Sequence, residues 1–159
     1  MSTRVNHFKT IPGLVKTLAD ASMALGKTAI DPLIKGLIDI RASQLNGCAF
    51  CLDMHVKEAK IHGERELRLY HVQVWRESSL FSAKEKAALA LTEALTRPGE
   101  HGITDELYHQ VREHFSEVEI AELTFAIAMI NAWNRMQLMA RMEPGSLDAA
   151  YGLQRAGLE

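Results

Sequence analysis

Apolar residues recur at intervals of three and four along nearly the whole chain, which is the spacing that one face of an α-helix requires. The clearest stretch follows Asp31-Pro32, where Leu33, Leu37 and Ile40 share one face until Asn46-Gly47. Aspartate and proline favour the cap and the first residue of a helix, and glycine favours its end. The pattern therefore predicts a helix between these two signals.

The same kind of signal predicts helices through the rest of the chain, and strand signals are absent. Serine and glutamate stand at capping-box spacing at Ser82 and Glu85, and again at Ser116 and Glu119. We predict an all-α fold in which residues 1–159 form a single compact domain of about six to eight helices. The expected helices run from about Cys48 to His62, Glu64 to Val74, Ser82 to the break at Pro98-Gly99, Thr104 to His114 and Ser116 to Met142, with one more short helix after Ser146.

The segment from Val118 to Trp133 is apolar on almost every side. A helix of that composition is buried all round, either in a core or between subunits. Because one small domain cannot cover so many apolar sides, we expect a homo-oligomer. The longest wholly apolar run, Phe125 to Ile130, is far shorter than the ~20 residues that span a bilayer, so we expect no membrane partner.

The amino-acid composition and the net charge exclude some classes of protein. A chain of 159 residues with 47% hydrophobic and 24% charged residues suits one globular domain and not a disordered protein. Its 18 basic and 20 acidic side chains give a net charge of −2, without the basic stripe typical of a nucleic-acid binder. The opening MSTRVNHFKT lacks the apolar core of a signal peptide, so we expect a cytoplasmic protein.

The candidate chemistry lies in the only two cysteines, Cys48 and Cys51, together with His55. Positions i, i+3 and i+7 fall on one helical face, and Cys48 would lie in the first turn after Gly47. Unpaired backbone N–H groups and the helix dipole favour a thiolate there. His55, four residues beyond Cys51, can take the proton of that thiol. The pattern indicates redox chemistry by a pair of thiols and a base.

Other interpretations of these residues remain open. Two cysteines and one histidine could bind zinc, but a structural zinc site needs a fourth ligand, and His62 is about two turns away. The cysteines could also be buried structural thiols. Covalent haem attachment fails because Leu52 follows Cys51. We expect neither a metal nor a cofactor.

The run from Arg41 to His55, RASQLNGCAFCLDMH, resembles the alkylhydroperoxidase D-like branch of the carboxymuconolactone decarboxylase superfamily. The resemblance covers roughly Phe8 to Arg135. Further matching segments are Val56 to Ala59, Gly63-Glu64, Trp75 to Glu77, Phe81-Ser82, Ala87 to Thr96 and Asn131 to Arg135.

The resemblance implies an all-helical protein that assembles as trimers or hexamers and reduces hydroperoxides with its thiols. It implies that Cys51 attacks the peroxide, that Cys48 resolves the product and that His55 relays the proton. The reductant would be a thiol or a lipoylated protein. Physical reasoning on the dipole alone would favour Cys48 as the thiolate, whereas the spacing to His55 and the resemblance favour Cys51.

One position departs from the family pattern. The family usually has a glutamate twelve residues before the first motif cysteine, and that position is Gly36 here. Asp39, one helical turn later, is the candidate replacement that would hold the far nitrogen of His55. The alternative is that Asp39 only pairs with Lys35, in a solvated ion pair.

Two rival functions accompany the peroxidase hypothesis. A lactone decarboxylase could use the same fold, although that chemistry does not require a cysteine pair. A non-enzymatic redox sensor or assembly protein could use the disulfide to change its surface.

Several other residues carry weaker expectations. Asn131 and Asn134 are expected to hydrogen-bond between helices or subunits, and Ser43 and Gln44 either line the cysteine pocket or cap their helix. Lys57 and Glu58 are expected on a solvated face. The methionines near Trp133 (Met129, Met136, Met139 and Met142) are expected in the core or an interface, and the remaining histidines (His7, His62, His71, His101, His109 and His114) at the surface or core edge.

Overall fold

The computed structural model describes residues 4–158, and within this range the chain is helical and contains no strand. The predicted all-α class is confirmed. Nine α-helices are present in the described residues, two of them only four residues long. They are α1 (His7–Thr10), α2 (Pro12–Leu25), α3 (Pro32–Asn46), α4 (Ala49–Ile61), α5 (Glu66–His71), α6 (Ala83–Thr96), α7 (Asp105–Arg112), α8 (Glu117–Ala140) and α9 (Asp148–Tyr151), with 3-10 turns at Val72–Val74 and Leu153–Ala156.

Helix α3 lies at the centre of the molecule, packed against α4, α6 and α8. Its residues from Leu37 to Ile40 are all buried, although they point to different sides of the helix. Ile38 belongs to a cluster with α6 and α8, whereas Ile40 packs with Leu89 in a second cluster that includes Trp75. The core therefore surrounds α3 and fixes the helix that precedes the cysteines.

Helix α8 is buried on one side only within the single chain. Leu123, Ile127 and Ile130 enter the core, while Phe125 is 45% exposed and Met139 is 52% exposed. The other helices of one chain therefore do not cover this segment on nearly every side, contrary to what the sequence had led us to expect. Within the described residues, no helix has both the length and the apolar character needed to cross a bilayer.

The link between α3 and α4 determines where the cysteines lie. Gly47 ends α3 with φ of +69°, a left-handed conformation that side chains with a Cβ adopt only at a cost. The Cys48 N–H then donates to the carbonyl of Ser43 at 3.0 Å, which turns the chain directly into α4. The predicted helix boundary at Asn46-Gly47 is confirmed.

Local capping signals explain most of the helix starts. Both predicted capping boxes, Ser82 with Glu85 and Ser116 with Glu119, are present. Helix α2 was not predicted as a separate element, because Ile11 at its N-cap provides no side-chain hydrogen bond. The segment expected as one helix from Glu64 to Val74 begins only at Glu66 and ends in a 3-10 turn.

Candidate active site

The two cysteines are adjacent and buried at the start of α4. Cys48 is 2% exposed and Cys51 is 1% exposed, and both are free thiols. Cys48 is the N-cap of α4, and its sulfur accepts a hydrogen bond from the Cys51 backbone N–H at 3.4 Å. The Cys51 thiol also donates to the Cys48 sulfur. The two thiols therefore change each other's pKa.

This arrangement separates the pKa values of the two thiols. The hydrogen bond from the Cys51 thiol lowers the pKa of Cys48 despite its burial, and the Cys51 backbone N–H adds to the effect. The pKa of Cys51 is raised, because its thiol proton is held by the Cys48 sulfur and because burial and the Cys48 charge disfavour its thiolate. When the pair loses one proton, the negative charge therefore lies mainly on Cys48.

Access to the two sulfurs is also unequal. A cavity of about 410 Å³ is lined by Cys51 and His55, whereas Cys48 borders a separate surface groove beside Arg141 and Met142. The cavity has a polar end and an apolar body. The apolar lining comes from α1, α2, α4, α8 and the C-terminal segment: Phe8, Ala19, Met23, Leu25, Phe50, Met54, Ala126, Met129, Ile130, Trp133, Leu147 and Tyr151.

His55 is hydrogen-bonded to a carboxylate at the polar end of the cavity, but the closest carboxylate is not Asp39. Its Nδ1 lies 2.7 Å from Oε2 of Glu58 and 3.7 Å from Oδ2 of Asp39. Oδ2 of Asp39 instead accepts a hydrogen bond from Nζ of Lys35 at 2.5 Å. The Lys35 pairing is therefore present, but it is only partly solvated, because Asp39 is only 4% exposed while the Lys35 side chain is 34% exposed.

The charges around His55 change the pKa of each group at this end of the cavity. Burial opposes the imidazolium, yet the Asp39 charge and the Glu58 hydrogen bond together raise the pKa of His55. Burial also opposes the Glu58 carboxylate, yet His55 and Lys35 lower the pKa of Glu58. The electrostatics favour an imidazolium next to the thiols, paired with carboxylates.

The expectation that Lys57 and Glu58 form a solvated face is wrong for Lys57, whereas the Glu58 side chain is 39% exposed. Lys57 is buried, and its Nζ donates to Asp53 at 2.9 Å and to Asp148 at 2.6 Å. Asp53 also accepts a hydrogen bond from the Gly145 N–H at 3.0 Å, so the segment after α8 is fastened to the cysteine helix. We name this group, Asp53, Lys57, Asp148 and Gly145, the C-terminal clasp. Its long-range partners gave no signal in the sequence.

Asparagine side chains join α3 to α8 beside the cysteines, as expected. Nδ2 of Asn46 donates to Asn131 at 2.9 Å and to Asn134 at 2.8 Å, and Nδ2 of Asn134 donates to Oγ of Ser43 at 3.1 Å. The Asn134 side chain also acts on Cys51, where it lowers the pKa of the thiol. Of the two candidate pocket residues, neither Ser43 nor Gln44 lines the cavity. Ser43 is held in the α3–α8 contact, and the Gln44 side chain accepts from Arg41.

The remaining candidates divide between the cavity and the surface. Met129 and Trp133 line the cavity, Met142 packs against the cysteines, and Met139 is largely exposed. His62 is exposed at the end of α4. Across residues 4–158, no three His, Cys, Asp or Glu side chains are grouped so that they could hold a metal ion. The other histidines are exposed or half-buried, as expected.

Comparison with known sequences relates the chain to one family. A profile of the carboxymuconolactone decarboxylase family matches residues 12–94. The chain is 41% identical over 138 residues to the uncharacterized protein YdfG of Bacillus subtilis (strain 168), covering 87% of this chain and 94% of that protein. It is 33% identical over 132 residues to the uncharacterized protein YnjA of Escherichia coli (strain K12), covering 81% of this chain and 67% of that protein.

Solved structures with the same fold include one at substantial sequence identity. The crystal structure of ATU0492 from Agrobacterium tumefaciens, a protein of unknown function proposed to be the antioxidant defence protein AhpD, matches with a TM-score of 0.87 and 37% identity, covering 90% of this chain and 98% of that chain. The debrominase Bmp8 matches with a TM-score of 0.77 and 19% identity, covering 91% of this chain and 77% of that chain. The second likeness concerns the fold alone.

Proposed function

Because this chain belongs to the carboxymuconolactone decarboxylase family, we propose that it is a thiol-dependent peroxidase whose cysteine pair cycles between dithiol and disulfide. One observation carries the proposal: Cys51, hydrogen-bonded to a second thiol, lines a cavity that it shares with the His55–Glu58 pair. A nucleophile, a resolving thiol and a proton donor are the groups that peroxide reduction by cysteine needs.

The first step forms a sulfenic acid on Cys51. The proton of the Cys51–Cys48 hydrogen bond passes to Cys48, which moves the negative charge to the sulfur that lines the cavity. The Cys51 thiolate attacks one peroxide oxygen, and the O–O bond breaks. The leaving alkoxide takes a proton from the His55 imidazolium and departs as an alcohol.

The second step forms the disulfide and releases water. Cys48 gives its proton to the neutral His55, and its thiolate attacks the Cys51 sulfenic sulfur. The S–S bond forms as the S–O bond breaks, and the leaving hydroxide takes that proton from His55 and departs as water. A dithiol reductant then returns two electrons by thiol–disulfide exchange and is itself oxidised to a disulfide. We propose a small dithiol or a lipoylated protein for this role.

The apolar body of the cavity favours organic hydroperoxides over hydrogen peroxide. A substrate with a hydrocarbon group can bury it against Met129 and Trp133 while its peroxide group reaches Cys51. Hydrogen peroxide has no apolar part to bury. We therefore expect kcat/KM for cumene hydroperoxide to exceed that for hydrogen peroxide by at least about tenfold.

A peroxide-consumption assay tests this function directly. The purified protein is mixed with cumene hydroperoxide and dithiothreitol, and the same assay is run with a lipoylated carrier protein in place of dithiothreitol. Consumption above the protein-free rate supports the peroxidase. A disulfide that forms without turnover under either reductant would contradict it, and would favour the redox-sensor alternative.

We also propose that the protein is a homo-oligomer, in line with the trimers or hexamers that the family resemblance implies. Phe125 and Met139 expose apolar surface on α8, and a second copy could cover it. Light scattering coupled to size exclusion should give a mass near three or six times 17.7 kDa. A monomer mass at micromolar concentration would contradict the assembly.

A further inference from the structure

We infer that Glu58 is the positioning residue for His55. This inference rests on the proposed function, because it concerns the same histidine. Position 36 on α3 is glycine and provides no side chain. The structure instead offers a carboxylate from α4 itself, one turn beyond His55.

The contact distances distinguish Glu58 from Asp39. Oε2 of Glu58 is at 2.7 Å from Nδ1 of His55, which is the length of a charge-assisted hydrogen bond. Asp39 is at 3.7 Å, which is too long for a hydrogen bond. Asp39 is also occupied by the ammonium group of Lys35 at 2.5 Å. Asp39 therefore acts on His55 through its charge alone, whereas Glu58 also sets the direction of the ring.

The hydrogen bond has a consequence for the proton. A carboxylate at Nδ1 keeps a hydrogen on that nitrogen, so the proton that leaves or joins the ring must do so at Nε2. His55 then alternates between a neutral form with hydrogen on Nδ1 and an imidazolium, and it does not need to reorient. Turnover by the proposed mechanism requires such a fixed proton donor in the cavity.

The helix geometry makes this carboxylate independent of how α3 and α4 pack. Residues three apart on one helix are neighbours on its surface, so Glu58 can meet His55 without any tertiary contact. At Gly36, an added Cβ would lie 3.6 Å from the Cβ of Ala59, so α3 and α4 approach closely at that point. Glycine at position 36 and glutamate at position 58 are thus compatible features of one arrangement.

The charged groups that face His55 come from two helices. Lys35 and Asp39 face it from α3, and Glu58 faces it from α4. The thiol pair at the start of α4 interacts with it through the Cys48 charge. The cavity-lining side chains from α2 and α8 carry no charge. Removal of the Glu58 charge should therefore lower the pKa of His55, since a nearby anion stabilises the imidazolium.

The test compares three variants of the full chain: Glu58→Gln, Asp39→Asn and the control Glu66→Gln. Glu66 pairs with Lys60 near the surface and does not line the cavity, so the control removes the same charge away from His55. We measure kcat/KM for cumene hydroperoxide, and we follow the His55 pKa and tautomer by nitrogen-15 NMR. The NMR measurement does not depend on activity, so it tests Glu58 even if the peroxidase proposal fails.

We expect Glu58→Gln to lower kcat/KM about tenfold or more, to lower the His55 pKa and to increase the fraction of neutral ring with hydrogen on Nε2. Asp39→Asn should lower the pKa but leave the Nδ1–H tautomer in place, with a smaller loss of rate. Glu66→Gln should behave as wild type in every measurement. The inference is overturned if Glu58→Gln leaves the pKa and tautomer unchanged. It is also overturned if Asp39→Asn shifts the tautomer as strongly, or if the control loses as much activity.

Discussion

A Cys51→Ser variant is expected to lose peroxide turnover by at least about a thousandfold. Serine keeps the shape of the side chain, but its hydroxyl does not ionise near neutral pH and cannot form a sulfenic acid. Cys51 is the cysteine that lines the 410 Å³ cavity, so no other thiol on that surface replaces it. The measurement is the rate of cumene hydroperoxide consumption with dithiothreitol, corrected for the direct reaction of dithiothreitol.

The thermal midpoint of the variant and the activity of a control variant show whether a loss of turnover comes from the missing thiol. The thermal midpoint of Cys51→Ser should stay close to that of wild type, because a serine hydroxyl can still donate to the Cys48 sulfur. Ser79→Ala, at an exposed position outside the cavity, is a control that should keep full activity. Wild-type turnover in Cys51→Ser would show that peroxide reacts elsewhere, and Cys48 would then be the candidate nucleophile.

A Cys48→Ser variant is expected to retain one turnover and lose the catalytic cycle. Without the resolving thiol, the Cys51 sulfenic acid cannot become an intramolecular disulfide, so it should accumulate and react with a dimedone probe. The first turnover should also be slower than in wild type, because the proton of Cys51 loses its thiolate acceptor. Mass spectrometry after a single addition of peroxide should find one trapped sulfenic acid, on Cys51.

The wild-type protein gives the matching positive result. Mild peroxide treatment should remove two protons from the pair and leave neither Cys48 nor Cys51 available for alkylation. If Cys48→Ser abolishes even the first turnover, the roles of the two cysteines are reversed. The charge distribution favours a thiolate on Cys48, whereas the shape of the cavity favours reaction at Cys51. Reversed roles would mean that the charge distribution decides which cysteine reacts.

The sequence predicts features that depend on neighbouring residues. Asp31 and Thr104 cap their helices as expected, since both the side chain and its target N–H lie within a few positions. The same local logic places Cys51 and His55 on α4 and Cys48 at the start of that helix, where it is the N-cap. The pairing of Glu58 with His55 was also predictable, because the residue three positions after a histidine on a helix is a candidate hydrogen-bond partner.

Features that depend on distant parts of the chain were not predictable in this way. Lys57 looks like any helical surface lysine until Asp148, 91 residues later, is brought against it. The cavity likewise combines side chains from near both ends of the chain, such as Phe8 and Tyr151. The hydrophobic periodicity of the sequence does not predict such long-range contacts, because they form only when the helices pack around α3.

The C-terminal clasp restricts which substitutions this sequence can accept during evolution. Lys57 is buried between two carboxylates, so its loss alone leaves Asp53 and Asp148 facing each other without a cation, close to the helix that carries the thiols. Loss of Asp148 alone removes the side-chain link between α4 and the chain after α8. A single substitution at position 57 or 148 is therefore expected to destabilise the protein, whereas a paired substitution can preserve its stability. Positions 57 and 148 are expected to change together in descendants of this protein.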